Sequence, residues 1–202
     1  MSGDRNGRIP LPGRDGLPPE GQAVWDKIVS SPRGAVVGPL RAVLRAPELA
    51  DLWQEFGAYC RYRTSLPEKL NELAIVVVGR RWQADVEWVV HTRVGIAAGL
   101  DPDHIDAIRD SVPPAFEDPA EAEVYDFAVA LLQEGDVSDA VYAPVRARWG
   151  DQGIVELTAV IGYYSMVAMM LNAHRVPVPD GEAPVFGDDA GLCDLPARKG
   201  AA

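Results

Sequence analysis

Apolar positions along this chain recur with the three- and four-residue spacing of one helix face. Pro19 and Glu20 open a first helix through Val24, Trp25, Ile28 and Val29, and Pro32 and Gly34 stop it. A short turn follows at 39–44. Pro47 then sits in the first turn of a helix carrying Leu49, Leu52, Trp53, Phe56 and Tyr59. Ser65-Leu66-Pro67-Glu68 reads as a start signal, with Ser65 as N-cap candidate, for a helix through Leu70, Leu73, Ala74, Val77 and Val78 to about Trp82. Another begins near Ala84 and ends at Gly99, a suitable C′ residue. Asp101-Pro102 caps a short helix through Ile105 and Ile108, broken by Pro113-Pro114. Further helices are expected over about 118–133, 139–148 and 151–174. The run Ile75-Val76-Val77-Val78 has the β-branching of a strand, but its flanks read as helix. The pattern therefore predicts an all-α fold.

The ends differ from the middle. Residues 1–19 hold four prolines and four glycines, which predicts an extended arm. Residues 177–202 hold four more prolines among Gly and Asp, which predicts an irregular, partly disordered tail. One helical domain is expected between them, at 20–176. Inside it, Glu72-Leu73-Ala74 with Gly79 downstream is faintly echoed by Glu156-Leu157-Thr158 with Gly162 downstream.

Composition narrows the function classes. The chain has 202 residues, 48% of them hydrophobic, enough for one domain with a real core. No uninterrupted apolar run suggests a membrane span, and the first residues lack the apolar stretch of a signal peptide. A net charge of −11 disfavours binding to phosphate backbones. It also repels small anions, so a carboxylate substrate would need a local arginine cluster. Cys60 and Cys193 are far apart, without CxxC or metal-ligand spacing, which predicts a reduced, cytoplasmic protein. Cys60 reads as a small buried hydrophobe.

The candidate chemistry lies on the helix from Ala84. Glu87 and His91 are four apart and share a face. A carboxylate beside an imidazole can fix its tautomer, raise its pKa and let it exchange a proton near neutral pH. Trp88 and Val94 would supply apolar walls. Glu72 interrupts an apolar stretch of the preceding helix, and a tight turn near Gln83 would bring it back toward His91. The same Glu–His spacing is also that of an ordinary surface pair. Zinc needs further ligands; HExxH is absent and His174 is the one other plausible ligand, so no metal is expected.

These residues also carry a family resemblance. Glu72-Leu73-Ala74-Ile75, Glu87-Trp88-Val89-Val90-His91 and Ala97-Ala98-Gly99-Leu100 with Ile105 resemble the carboxymuconolactone decarboxylase family. So do Glu156-Leu157, Ile161-Gly162-Tyr163-Tyr164 and Leu171-Asn172-Ala173, followed by Val176-Pro177-Val178-Pro179. The resemblance spans about 48–180. It implies an all-α, alkylhydroperoxidase D-like helical bundle assembling as trimers, or hexamers built from them. In the peroxidase-like branch the pattern is E-x11-C-x2-C-x3-H. Glu72 and His91 fall on its Glu and His, while Ala84 and Glu87 stand at the two thiol positions. Thiol exchange requires those thiols, which disfavours that activity. The decarboxylase branch is cofactor-free and carries an E-L-x-x-H-like element, which Glu87 to His91 resembles with Trp88 in place of Leu.

The leading expectation is a cofactor-free decarboxylase, or a related proton-transfer lyase or isomerase, acting on a small cyclic, lactone-like carboxylic acid. His91 would donate the proton, Glu87 would orient it and Glu72 would be a second acid/base or anchor. Arg80 or Arg81 would hold the carboxylate, and Tyr163 and Tyr164 would donate hydrogen bonds. Solvated helix-end arginines and packed core tyrosines are the plainer readings of those four. The alternatives are a residual peroxidase and a non-catalytic oligomeric ligand-binding protein. The expected partners are a small carboxylate and further copies of the chain, without nucleic acid or membrane.

Overall fold

A computed structural model describes residues 7–187 and 191–198, so part of the expected arm (1–6) and of the tail (188–190 and 199–202) lies outside the described residues. Among the described residues, eight α-helices and a 3-10 turn at Arg14–Gly16 make up the regular structure: α1 Pro19–Val29, α2 Pro39–Val43, α3 Pro47–Tyr62, α4 Glu68–Arg81, α5 Asp85–Ala97, α6 Pro102–Arg109, α7 Pro119–Glu134 and α8 Asp139–His174. The all-α expectation holds. The stretch 39–44, expected as a turn, closes into the short helix α2, with Pro39 pre-set for a first helical position.

α4 forms the centre, packed by α5, α7 and α8. Every residue from Leu70 to Gly79 is buried. That explains the β-branched run Ile75 to Val78 inside a helix: burial on all sides outweighs a small loss of helix propensity. α5 folds back along α4 through Gln83, which adopts a left-handed conformation (φ 47°). The two helices touch closely at glycines. A Cβ on Gly95 would lie 2.6 Å from Leu100 Cδ1 and 3.5 Å from Glu72 Cβ. This crossing sets α5 at the depth of Glu72.

Asp101 and Asp118 accept the N–H groups of Asp103 and Ala120, capping α6 and α7. Ser65 does not cap α4 as expected. Pro67 takes the N-cap position without a side-chain bond, and the Ser65 hydroxyl is drawn instead to Glu156. α8 is broken at Gly150 (φ 68°, ψ −173°), the boundary expected between 139–148 and 151–174. By length and composition α8 is apolar enough to cross a membrane, but 56% of its most apolar stretch is buried in this bundle as a core helix.

The described part of the arm lies along its own chain. Arg8 N–H donates to His174 O (2.9 Å), and the Arg45 and Arg41 guanidiniums donate to Pro10 O and Leu11 O. The described part of the tail is irregular, as expected, but it is packed rather than disordered. Val185 and Phe186 N–H groups donate to Asp85 Oδ1 (2.6 and 2.9 Å). Cys193 N–H donates to Arg81 O (2.8 Å), Leu195 is buried, and Tyr125 Oη donates to Pro196 O (2.8 Å).

Candidate active site

Glu72, Glu87 and His91 converge in the interior, each 5% exposed or less. They come from two antiparallel helices held together at Gly79 and Gly95. A Cβ on Gly79 would touch Glu87 Cγ at 3.7 Å, as the Cβ of Gly95 would touch Glu72. Small residues at the crossing let two acidic side chains enter one apolar layer.

The pairing differs from the expected one. Glu72, not Glu87, binds the imidazole: His91 Nδ1 and Glu72 Oε2 are 2.7 Å apart. The helical spacing of Glu87 and His91 permitted a pair, but the tertiary contact takes it. Burial lowers the His91 pKa below its ordinary value, more than the Glu72 hydrogen bond and charge raise it; Arg61 and Arg33 lower it further. A neutral imidazole donating from Nδ1 to Glu72 presents Nε2 as a base, and Nε2 has no hydrogen-bond partner among the described residues.

Glu87 stands alone. Both carboxyl oxygens are buried without a hydrogen-bond partner among the described residues. Burial, and then the charge of Glu72, push its pKa well above the ordinary carboxyl range. Its stable form in this setting is the neutral acid, a proton donor beside a base.

Tyr164 closes the group. Its ring meets the imidazole edge-on, with centroids 4.9 Å apart. Burial raises its pKa well above the ordinary value, against the opposing charge of Arg61, so it keeps its proton. Tyr163 meets Tyr164 edge-on at 5.2 Å and lies one ring further from His91. Trp88 is buried, but its recorded ring contact is with Phe186 of the tail (5.2 Å).

Arg80 and Arg81 are not brought to this group. Arg80 donates to Ile108 O and Ser111 Oγ and lies over the Phe186 ring; Arg81 donates to Cys193 O and Asp194. Two turns of α4 separate them from Glu72, roughly 12 Å along the axis. The arginines whose charge reaches His91 are Arg33 and Arg61, which the sequence reading did not single out. Gly57 offered a clue: glycine inside an apolar helix marks a close approach, here by Tyr163 and Arg33.

Cys60 is fully buried, its thiol pushed up to about 11 by burial, in keeping with a small core residue. The positions aligned with the peroxidase thiols hold Ala84, fully buried, and the Glu87 acid.

This architecture is the alkylhydroperoxidase D-like helical fold. The chain superposes on the alkylhydroperoxidase core of an uncharacterized peroxidase-related protein from Ralstonia eutropha with a TM-score of 0.71, at 16% identity, covering 86% of this chain and 93% of that one. A peroxidase-related protein from a Silicibacter species matches with a TM-score of 0.71 at 19% identity, covering 89% and 94%. A debrominase, Bmp8, solved in complex with 2,3,4-tribromopyrrole, matches with a TM-score of 0.68 at 13% identity, covering 86% and 91%. At these identities the likeness is one of fold. Residues 47–130, from the start of α3 into α7, match the model of the carboxymuconolactone decarboxylase family. That segment contains Glu72, Glu87 and His91 and excludes Tyr163 and Tyr164. No curated protein matches the chain by sequence.

Proposed function

We propose that this chain is a cofactor-free acid/base catalyst acting on a small cyclic carboxylic acid, by decarboxylation or a related proton-transfer lyase or isomerase reaction. The observation that carries the reading is Glu87: a carboxyl with no partner for either oxygen, in apolar surroundings, beside a Glu72-bound imidazole. Burying it unpaired costs about 1–3 kcal/mol, a cost that a purely structural site has no reason to keep.

In the decarboxylation form, the C–CO2 bond breaks and its electron pair moves into a conjugated carbonyl of the substrate. CO2 leaves, and an enolate remains. Glu87 gives its proton to carbon, and solvent returns a proton to Glu87. In the isomerase form, His91 Nε2 removes a carbon-bound proton and Glu87 supplies one elsewhere on the conjugated system; His91 then loses its proton to solvent and Glu87 regains one, restoring the resting pair. The apolar layer strengthens hydrogen bonds to the developing enolate, for which the Tyr164 hydroxyl is the neighbouring neutral donor.

The test is a panel of cyclic and lactone acids assayed for CO2 release and for solvent-deuterium incorporation. Turnover by the parent chain, abolished in folded Glu87→Gln and, for the isomerase form, also in His91→Gln, supports the reading. Turnover indifferent to both substitutions removes it, and robust peroxide consumption with a dithiol would replace it with the antioxidant reading.

We also propose a homo-oligomer. α5 and α8 are apolar on nearly every side, and helices of that kind are normally covered. Ile96 on α5 and Val155, Met166 and Met169 on α8 are exposed in the single chain. A monomer in light scattering would overturn this.

A further inference from the structure

A second set of unsatisfied groups lies next to the acid/base cluster, and it consists of donors. Trp53 and Gly57 are one turn apart on α3 and share a face; Tyr163 packs against that face from α8, its ring 5.8 Å from Trp53. Arg33 reaches the same place from the link between α1 and α2. With no side chain on Gly57, the Tyr163 hydroxyl and the Arg33 guanidinium approach the α3 backbone together: a Cβ there would lie 2.7 Å from Arg33 Nη2 and closer still to Tyr163 Oη. Trp53 is 4% exposed, yet its Nε1–H has no acceptor among the described residues, and neither does the buried Nε–H of Arg33. Arg33 and Trp53 both face the Tyr163 hydroxyl: burial raises its pKa, and the charge of Arg33 with hydrogen bonding from Arg33 and Trp53 lowers it.

Arg61, one turn beyond Gly57, adds a second cation. Its guanidinium and that of Arg33 lie 5.4 and 6.0 Å from the Tyr62 ring. Neither has a carboxylate partner among the described residues, although the chain carries 30 acidic residues against 19 basic ones. Other arginines are taken up by acids, as in Arg14–Asp26, Arg93–Glu182 and Arg148–Glu123, or by carbonyls, as in Arg41, Arg45 and Arg80. Two guanidiniums without a carboxylate partner, one of them beside an indole N–H and a phenol hydroxyl, are complementary to an anion. Phe56, 45% exposed and edge-on to Tyr163, forms a rim open to solvent. From Tyr163 the path inward runs through Tyr164 to His91 by two ring contacts.

We propose that Arg33, the Trp53 Nε1–H and the Tyr163 hydroxyl form a carboxylate-binding subsite, with Arg61 adding charge, that holds a small planar organic acid beside the Glu72–His91–Glu87 group. The location of the subsite stands on its own observations; its meaning as a substrate anchor rests on the acid/base reading. It supplies the local positive charge that an acidic protein needs to attract a carboxylate.

The test is calorimetric titration with 2-furoate, a planar ring acid, and with its uncharged methyl ester. The parent chain is expected to bind the acid saturably and the ester at least tenfold more weakly. Arg33→Gln should weaken 2-furoate binding at least tenfold, with Arg33→Lys between the two. Trp53→Phe, which keeps the ring and removes the N–H, should weaken it severalfold, and Arg81→Gln should leave it unchanged. Equal binding of acid and ester, no saturable binding by the folded parent, or full affinity in both Arg33→Gln and Trp53→Phe would each overturn the proposal. Binding retained in Glu87→Gln, with no acid turned over by the parent, would keep the subsite and remove the acid/base reading. Turnover that depends on Glu87 but not on Arg33 would do the reverse.

Discussion

Two glutamates on two apolar helices are almost equally buried, Glu87 at 2% exposure and Glu156 at 4%, and their surroundings are opposite. Glu156 accepts from Tyr59 Oη (2.5 Å), Ser65 N–H (2.7 Å), Ser65 Oγ (2.6 Å) and Gln152 Nε2 (3.0 Å). Burial alone would raise its pKa, but those donors outweigh it and hold the carboxyl down at about 2. Glu87 has no donor, and its carboxyl is driven upward. One site is a satisfied anion that ties α8 to the α3–α4 junction; the other is an acid kept neutral by its surroundings. Burial therefore does not decide what a buried carboxyl is for. The donors around it do.

The largest effect that sharpens this contrast is on catalysis. Glu87→Gln should lower turnover by about 100- to 10,000-fold, the range for losing a placed acid, while the protein unfolds no earlier in urea than the parent. A loss of stability comparable to that of the Glu156 variant would break the contrast.

Next is Glu156→Gln, which should cost about 3 kcal/mol in urea unfolding, because several donors lose a charged acceptor. The sign with pH follows from the depressed pKa. The stabilisation is fully present above the ordinary carboxyl value and is lost as pH falls from there toward about 2. Acid unfolding scans of the parent should show that loss, and the Glu156→Gln variant should lack it. Glu87 acts the other way: its raised pKa makes folding less favourable as pH rises above the ordinary carboxyl value, so Glu87→Gln should gain on the parent toward alkaline pH.

A third effect is on the pH–rate profile. Activity should fall at high pH as Glu87 ionises and, in the isomerase form, at low pH as His91 protonates. Glu72 raises both pKa values, through its hydrogen bond and charge on His91 and its charge on Glu87, so Glu72→Gln should move both limbs to lower pH. Limbs that stay in place would remove Glu72 from the electrostatics of the site. The smallest effect is Ser65→Ala, expected to cost about 1–2 kcal/mol of stability by thermal or urea unfolding, without touching turnover. A change in turnover would mean that the two carboxyl sites are coupled.

Much of this was readable in the sequence. The helix boundaries followed from Pro19, Pro47, Asp101-Pro102 and Gly150, where local chemistry decides. The membership of Glu72, Glu87 and His91 in one cluster followed from helical spacing and a tight turn. Their roles did not, because the i, i+4 spacing of Glu87 and His91 says nothing of what crosses that face, and the glycine contacts at Gly79 and Gly95 set Glu72 against the imidazole. Ser65 has the chemistry of an N-cap, but a partner 91 residues away claims its hydroxyl. Arg80 and Arg81 looked free because the tail that engages them read as unstructured. Arg33, Trp53 and Tyr163 come together only through packing of three segments, and of that arrangement only Gly57 left a trace.

The most direct test of the central claim is the protonation state of Glu87 at neutral pH. Infrared difference spectroscopy of the parent against Glu87→Gln would isolate its carboxyl stretch. The account predicts a protonated C=O band that persists through neutral pH and disappears only under alkaline conditions. A carboxylate band already present in mildly acidic solution would show an ordinary ionised glutamate, and the acid at the centre of the proposed chemistry would be gone.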